Sequence, residues 1–224
     1  MTAAKSQAGF TLLEVLASLV LLAFLMAAIF SGLHATTKSI KAGDAVIDRI
    51  DQMRAAQEFL RRELAAATAM PWALDPERNP IVFTGDEHQM RFVAPLPGYL
   101  EKLGPQLQTL SLVDDGNSML RLEMTFAMLP PDGGVPRPLD KPEVLLRGIR
   151  SGHFSYATRD STYRLGGWSD RWTDVSGLPV LVRIELDDKH LPPIWPDLIV
   201  AVRQGPEAVN VQALARPLLY GRQQ

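Results

Sequence analysis

An acidic side chain, Glu14, lies inside a long apolar run near the N-terminus, and its position calls for a chemical explanation. The run extends from Phe10 to Leu33. A stretch of about 24 residues is long enough to cross a hydrocarbon layer of roughly 30 Å. On insertion scales an Asp at the centre of such a helix costs roughly 2.5–3.5 kcal/mol. Glu14 therefore predicts either a positively charged partner or a position from which its carboxylate reaches water.

The side chains that most often catalyse reactions form no recognisable set in this sequence. The chain has no cysteine, and it contains no phosphate-binding glycine loop, H-E-x-x-H helix or G-x-S-x-G elbow. Its four histidines fall in separate segments of the chain: His34, His88, His153, which should begin a strand, and His190. We therefore expect no enzymatic activity, no metal site and no cofactor.

A short acidic run around Gly116 has two interpretations. Asp114, Asp115 and Asn117 carry the oxygen ligands that calcium prefers, but the run lacks the remaining positions of an EF-hand loop. Asp, Asn and Gly are also the residues of tight hairpin turns. The sequence favours the hairpin.

Composition and charge exclude several classes of function. The chain has 224 residues, 46% of them hydrophobic, which suffices for one domain plus an appendage. Its net charge of -2 and its lack of a basic run argue against nucleic-acid binding.

The apolar run is too long for a secretory signal peptide, so we expect a retained membrane helix. Lys5 precedes it, which predicts a cytoplasmic N-terminus and a periplasmic C-terminal part.

The predicted elements form an α+β architecture. Residues 10–33 should be a transmembrane helix, and residues 34–70 an amphipathic helix that Pro71 ends. Residues 71–224 read as one β-rich head, with hairpins turning near Gly85 and Gly116 and a loop at 129–142. Further strand-like runs are VLLRGI, HFSYA, LPVLVRIEL and DLIVAV, and the stretch after Val211 should dock on the head. The apolar stripe of the second helix comprises Val46, Ile50, Met53, Gln57, Leu60 and Leu64.

The run GFTLLEVL resembles the processing motif of type IV pilins and type II secretion pseudopilins. This resemblance implies that residues 1–9 are a leader. Prepilin peptidase would cut between Gly9 and Phe10 and methylate the new amino group of Phe10. It also implies a pilin-like fold, in which Glu14 pairs with the N-terminal amine of a neighbouring subunit and so becomes favourable on assembly.

The second half of the chain resembles general secretion pathway protein J, a minor pseudopilin. The similarity lies in VLLRGIRSGHFSYATRD and GGWSDRWTDVSGLPVLVRIELD, which include Trp168 and Trp172. The two tryptophans on their own are more typical of packing anchors for a long loop than of a ligand platform. The resemblance implies a tip complex with the I- and K-type minor pseudopilins, above the major pseudopilin and an inner-membrane assembly platform. That complex would initiate the pseudopilus and support export of folded proteins.

Two other functions remain open at the level of sequence. A minor pilin that primes a type IV pilus would share the same fold and processing motif. A membrane-tethered periplasmic enzyme or binding protein would share the anchor, but the missing catalytic set argues against it.

Overall fold

The computed structural model describes residues 11–95, 104–130, 133–139, 141–159, 164–188, 195–203 and 214–220. The predicted leader, residues 1–9, lies outside these ranges, and so does Phe10. Two compact units divide the chain, Met1–Arg49 and Ile50–Gln224. The second is called the head unit from here on.

Helix α1 spans Leu12–Ala65 and begins directly after Thr11. The backbone amide of Glu14 donates to the Thr11 hydroxyl at 3.3 Å and to the Thr11 carbonyl oxygen at 3.0 Å. A threonine in this place satisfies one of the amide groups that a helix leaves free in its first turn. Within α1, the segment Leu12–Ser31 has a mean hydropathy of 2.6, and it is long and apolar enough to cross a membrane.

Helix α1 ends earlier than predicted. Its last residue is Ala65, so the prediction that Pro71 ends it is wrong. Thr68 donates its backbone amide to the carbonyl oxygen of Val93 at 2.7 Å. Because this bond reaches a segment 25 residues away, it draws the backbone into the sheet before the proline is reached.

The head unit is built on antiparallel strands. Within the described residues, β3 to β11 form one sheet in the order β11-β10-β8-β6-β5-β4-β3, with β7 paired to β6 and β9 to β8, while β1 and β2 pair separately. The strands are β1 Ala73–Leu74, β2 Pro80–Ile81, β3 Thr84–Gly85, β4 Gln89–Pro95, β5 Pro105–Gly116, β6 Met119–Met128, β7 Arg137–Pro138, β8 Glu143–Arg159, β9 Leu165–Ser169, β10 Leu181–Asp188 and β11 Leu198–Ala201. A short helix, α2, spans Arg216–Tyr220.

One face of α1 packs on this sheet inside the head unit. Met53, Ala56, Leu60 and Leu64 recur every three or four residues and are no more than 4% exposed. The predicted stripe is confirmed at Met53, Leu60 and Leu64, whereas Val46 is 43% exposed, so the prediction is wrong there. The sheet contributes the other side of the core, including Met90, Phe92, Leu110, Leu122, Met124 and Ile184. The predicted α+β, pilin-like architecture is therefore confirmed.

Gln57 interrupts the apolar stripe without being left unpaired. Its Nε2 donates to the carbonyl oxygen of Pro196 at 3.0 Å, shortly before β11 begins. A polar side chain at a half-buried helix position needs such a partner. This bond ties the helix to the segment that leads into the edge strand.

The hairpin between β5 and β6 turns where the sequence predicts it. Gly116, Asn117 and Ser118 have positive φ values of 84°, 55° and 56°. The backbone amide of Gly116 donates to Asp114 Oδ1 at 2.7 Å, which is a local bond typical of Asp in turns. The hairpin interpretation of this acidic run is confirmed.

The hairpin between β3 and β4 turns at residues 86–88, close to the predicted Gly85. A Cβ added to Gly85 would overlap the ring of Tyr156 on β8. The Tyr156 hydroxyl donates to the carbonyl oxygen of Asp86 at 2.8 Å. Glycine is therefore required here because the aromatic ring lies directly against the backbone.

Strand β8 is continuous over 17 residues, although the sequence suggested two separate runs. Arg147 and Gly148 together lie opposite Arg121, since the neighbouring pairs are Leu120 with Ile149 and Leu122 with Leu146. Gly148 has a φ of 73°, as expected of a glycine in a bulge. His153 was predicted to begin a strand, but it lies well inside β8, so that prediction is wrong.

The stretch after Val211 docks on the head unit in its described part, as predicted. Ala215 is fully buried, and a Cβ on Gly133 would lie 2.9 Å from backbone atoms of Pro217. The backbone of the 129–142 loop therefore contacts α2 directly.

Candidate functional site

Glu14 lies in the first turn of α1, and its side chain is exposed. It stands three residues after Thr11, the pattern of a capping box. The backbone dipoles of a helix favour negative charge in this turn. Ser18, one turn further on, donates its hydroxyl to the Glu14 carbonyl oxygen at 2.7 Å. The structure thus places an acidic group at the N-terminal end of the apolar segment.

The predicted cleavage residues, Gly9 and Phe10, lie outside the described residues, so the cleavage site stays a prediction. Thr11, which follows them, is described and precedes the helix. Helix α1 therefore begins shortly after the predicted scissile bond.

Trp172 anchors the loop between β9 and β10 to the core. Its ring centroid lies 6.0 Å from that of Phe83 and 6.4 Å from that of Tyr156, both in edge-on arrangements. Its Nε1 donates to the carbonyl oxygens of Asp174 and Gly177. Both the apolar ring and its polar atom are satisfied within the protein, as expected of a packing anchor. Burial raises the pKa of the neighbouring Tyr156 well above its usual value.

Trp168 belongs to a polar row on the face of the sheet opposite α1. The Arg183 guanidinium lies 4.5 Å from the Trp168 ring centroid, a cation–π distance. Arg183 Nε donates to Ser155 Oγ at 3.0 Å and lies 3.0 Å from Glu185 Oε2. His153 Nε2 lies 2.9 Å from the same carboxylate oxygen. Ser155 and His153 thus have Arg183 and Glu185 as partners, which differs from a nucleophile paired with its general base.

The described residues contain no group of three or more His, Asp or Glu side chains that could hold a metal ion. Asp115 is instead paired with two arginines, lying 2.6 Å from Arg147 and 3.1 Å from Arg121. The hydrogen bond from Arg147 is the main cause that lowers the pKa of Asp115 below its usual value. These charges join the β5–β6 hairpin to β8.

Glu63 is a buried acid that the sequence analysis did not identify. Its side chain is 2% exposed, and Oε2 accepts a hydrogen bond from Gln108 Nε2 at 2.8 Å. Burial raises the pKa of Glu63, while the bond from Gln108 and the nearby charge of Arg62 act in the opposite direction. Glu63 falls between Leu60 and Leu64, so the helical spacing of the stripe was the signal that could have located it.

Comparison with known proteins identifies the family. The family described as Type II secretion system (T2SS), protein J, matches residues 31–195, and the prokaryotic N-terminal methylation motif matches residues 4–30. Type II secretion system protein J of Xanthomonas campestris pv. campestris is 34% identical over 200 residues, which cover 88% of this chain and 93% of that protein. The chain belongs to the type II secretion system protein J family. The predicted role as a minor pseudopilin of type II secretion is confirmed.

Members of this family are structural components of a secretion system. Family membership and one apolar N-terminal helix fit a single-pass protein of the inner membrane. Among solved structures, the crystal structure of the GspK-GspI-GspJ complex from enterotoxigenic Escherichia coli contains a similar chain. The similarity has a TM-score of 0.47 at 19% identity and covers 69% of this chain and 97% of that one.

Glu63→Gln should stabilise the full chain at neutral pH. The folded state raises the pKa of Glu63 above its usual value near 4.5, so the folded chain binds a proton more readily than the unfolded one. Stability therefore falls as pH rises from 4.5 through the folded-state pKa, by about 1.4 kcal/mol for each pKa unit of difference. Thermal unfolding in detergent should show a higher Tm for Glu63→Gln at pH 7 than for the wild type, and a smaller difference near pH 4.

Glu58→Gln is the matched control, because Glu58 is an exposed acid on the same helix. It should leave Tm nearly unchanged at both pH values. A lower Tm for Glu63→Gln at pH 7, or a gain that does not depend on pH, would contradict this account of the buried acid.

Proposed function

We propose that this minor pseudopilin forms a tip complex with I- and K-type minor pseudopilins, initiates the periplasmic pseudopilus and thereby supports export of folded proteins across the outer membrane. The observation that carries the proposal is the adjacency of two matches. The protein J family covers residues 31–195, and the N-terminal methylation motif covers residues 4–30 directly before it. A filament subunit needs both a head specific to its place and a segment that is processed and assembled.

Charge and hydropathy support the orientation that we propose in the membrane. Leu12–Ser31 supplies one spanning segment, and Lys5 precedes it. Positive charge beside a span tends to stay in the cytoplasm. We therefore place residues 1–9 on the cytoplasmic side and the head unit in the periplasm, with the major pseudopilin below it after assembly.

Processing and assembly are linked at the N-terminus. Prepilin peptidase would cleave between Gly9 and Phe10, and methylation would follow on the new amino group of Phe10. Cleavage creates a cation at the chain end, in the same short segment as the acidic Glu14. Within a filament, the amine of one subunit and the carboxylate of its neighbour would compensate each other, whereas a lone Glu14 in the bilayer is costly.

The role is mechanical, with no catalytic step assigned to this chain. An inner-membrane assembly platform would add subunits beneath the tip, and the growing pseudopilus would move or gate the exported protein. The polar contacts of the sheet support a structural role. Ser155 and His153 each contact another side chain of the sheet.

Gly9→Ala should leave the precursor uncleaved. A Cβ at the residue before the scissile bond adds bulk at the position that the peptidase must bind and removes the additional backbone conformations that only glycine adopts. Mass spectrometry of the membrane fraction should find the full-length chain, while Gly32→Ala, the same exchange outside the motif, should mature normally. A Gly9→Ala protein that starts at Phe10 would refute the assigned cleavage site.

Glu14→Gln should insert and be processed but should support secretion poorly. Glutamine keeps the size of the side chain and removes its charge, so it cannot form an ion pair with the amine of a neighbour. Removing one partner of a buried ion pair costs about 3–5 kcal/mol, and about 1.4 kcal/mol is already a tenfold change in an equilibrium, so we expect at least a roughly tenfold fall in secreted cargo. Glu58→Gln, which removes an exposed acid from the same helix, should secrete normally. Full secretion by Glu14→Gln would show that its charge serves only to reach water.

A further inference from the structure

Two buried glutamines lie on the face of β5 that packs against α1. Gln106 and Gln108 are both fully buried. Side chains alternate along a strand, so these two share one face with Leu110. The bond between Gln108 and Glu63 shows that this face is the one turned to the helix. The contact between α1 and β5 therefore contains polar groups in an otherwise apolar core.

The hydrogen bonds at this contact do not use all of these groups. Gln108 Nε2 donates to Glu63, but among the residues that the structure describes Gln108 Oε1 has no hydrogen-bond partner, and neither Oε1 nor Nε2 of Gln106 has one. Two amide carbonyl oxygens and one amino group are thus buried and unmatched. Native proteins bury few such groups, since each loses its bonds to bulk water on folding.

At the described positions directly beside the two glutamines, the neighbouring strands β4 and β6 carry apolar side chains. In register with Gln106 are Ala94 on β4 and Met128 on β6. Phe92 and Phe126 hold the same positions beside Gln108. On the helix side Glu63 contacts Gln108, and the buried α1 positions on either side of Glu63 in the stripe are the apolar Leu60 and Leu64.

The unmatched atoms define the chemistry of the group that would bind them. A metal cation would bind the two carbonyl oxygens and leave the Gln106 amino group unmatched, and an anion would do the reverse. Water donates and accepts, so it serves both kinds of atom. We propose that bound water occupies the contact between α1 and β5 and joins Gln106 to Gln108 beside the Glu63 carboxylate.

This water would form part of the polar network of Glu63. Gln108 contacts the carboxylate through Nε2 and would contact the water through Oε1, so one amide connects the two. A buried network of this kind is stabilising when every member is satisfied and destabilising when one is not. Removing a glutamine therefore has opposite effects in a hydrated and in a dry contact.

The sign of a stability change tests the proposal in the full chain in detergent. Gln106→Met keeps the length of the side chain and removes its amide. In a hydrated contact the water loses partners, and Tm should fall by a few degrees, about 2–4 °C for a chain of this size. In a dry contact the same exchange removes two unmatched atoms, and Tm should rise. Gln89→Met is the control for the loss of a side-chain amide. Gln89 Nε2 donates directly to a protein atom, Ser111 Oγ, at 3.2 Å.

Water–amide NOE spectra of the wild-type chain with ¹⁵N-labelled glutamine provide a second measurement, which does not depend on a variant that folds. A cross-peak between the Gln106 side-chain amide and long-lived water, absent in Gln106→Met, supports the proposal. No cross-peak, or a higher Tm for Gln106→Met, overturns it. A wild-type Tm that rises with added Na⁺ or Ca²⁺, without the same rise in Gln106→Met, overturns it in favour of a bound cation.

Discussion

The apolar face of α1 between residues 50 and 65 is unfavourable in water, and the sheet of the head unit buries it. Met53, Leu60 and Leu64 are almost completely buried against the sheet. Burying each such side chain contributes about 1.5–3 kcal/mol. Net stabilities of domains are only about 5–15 kcal/mol, so the loss of even one of these buried side chains would remove a large part of the margin. The inward faces of β4, β5, β6 and β10 supply the complementary surface.

Covering the helix also fixes where it sits along the sheet. Glu63 is the charged residue in this contact, and Gln108 is its hydrogen-bond partner. A shift of the helix by one residue would remove this bond and leave a carboxylate and an amide buried without each other. Purely apolar contacts tolerate such shifts more easily. Burying Glu63 thus costs free energy in the observed position of the helix. The cost is larger in a shifted position, because Glu63 would lose its hydrogen bond there.

Features that depend only on residues close together in the sequence were predicted correctly. The β5–β6 turn depends on residues that accept positive φ, and the stripe of α1 depends on helical spacing, so both could be read from the sequence. The end of α1 depends on the bond from Thr68 to Val93, and the burial of Glu63 depends on Gln108, 45 residues away. A local sequence pattern does not indicate such long-range partners. The acid of the apolar segment, Glu14, could be located from the sequence, whereas the partner proposed for it, the N-terminal amine of a neighbouring subunit, is not part of the same chain.

This chain belongs to a family of structural components of an assembly, the type II secretion system. In the proposed function, the J-family head unit would specify the place of this chain in the assembly, and processing of its N-terminus would permit it to join. The most direct test is co-purification of the full chain in detergent with affinity-tagged I- and K-type minor pseudopilins from the same secretion system. We expect one complex that contains all three proteins at micromolar concentration. If the chain elutes alone at that concentration while the other two proteins are folded, the assignment to the tip complex is contradicted.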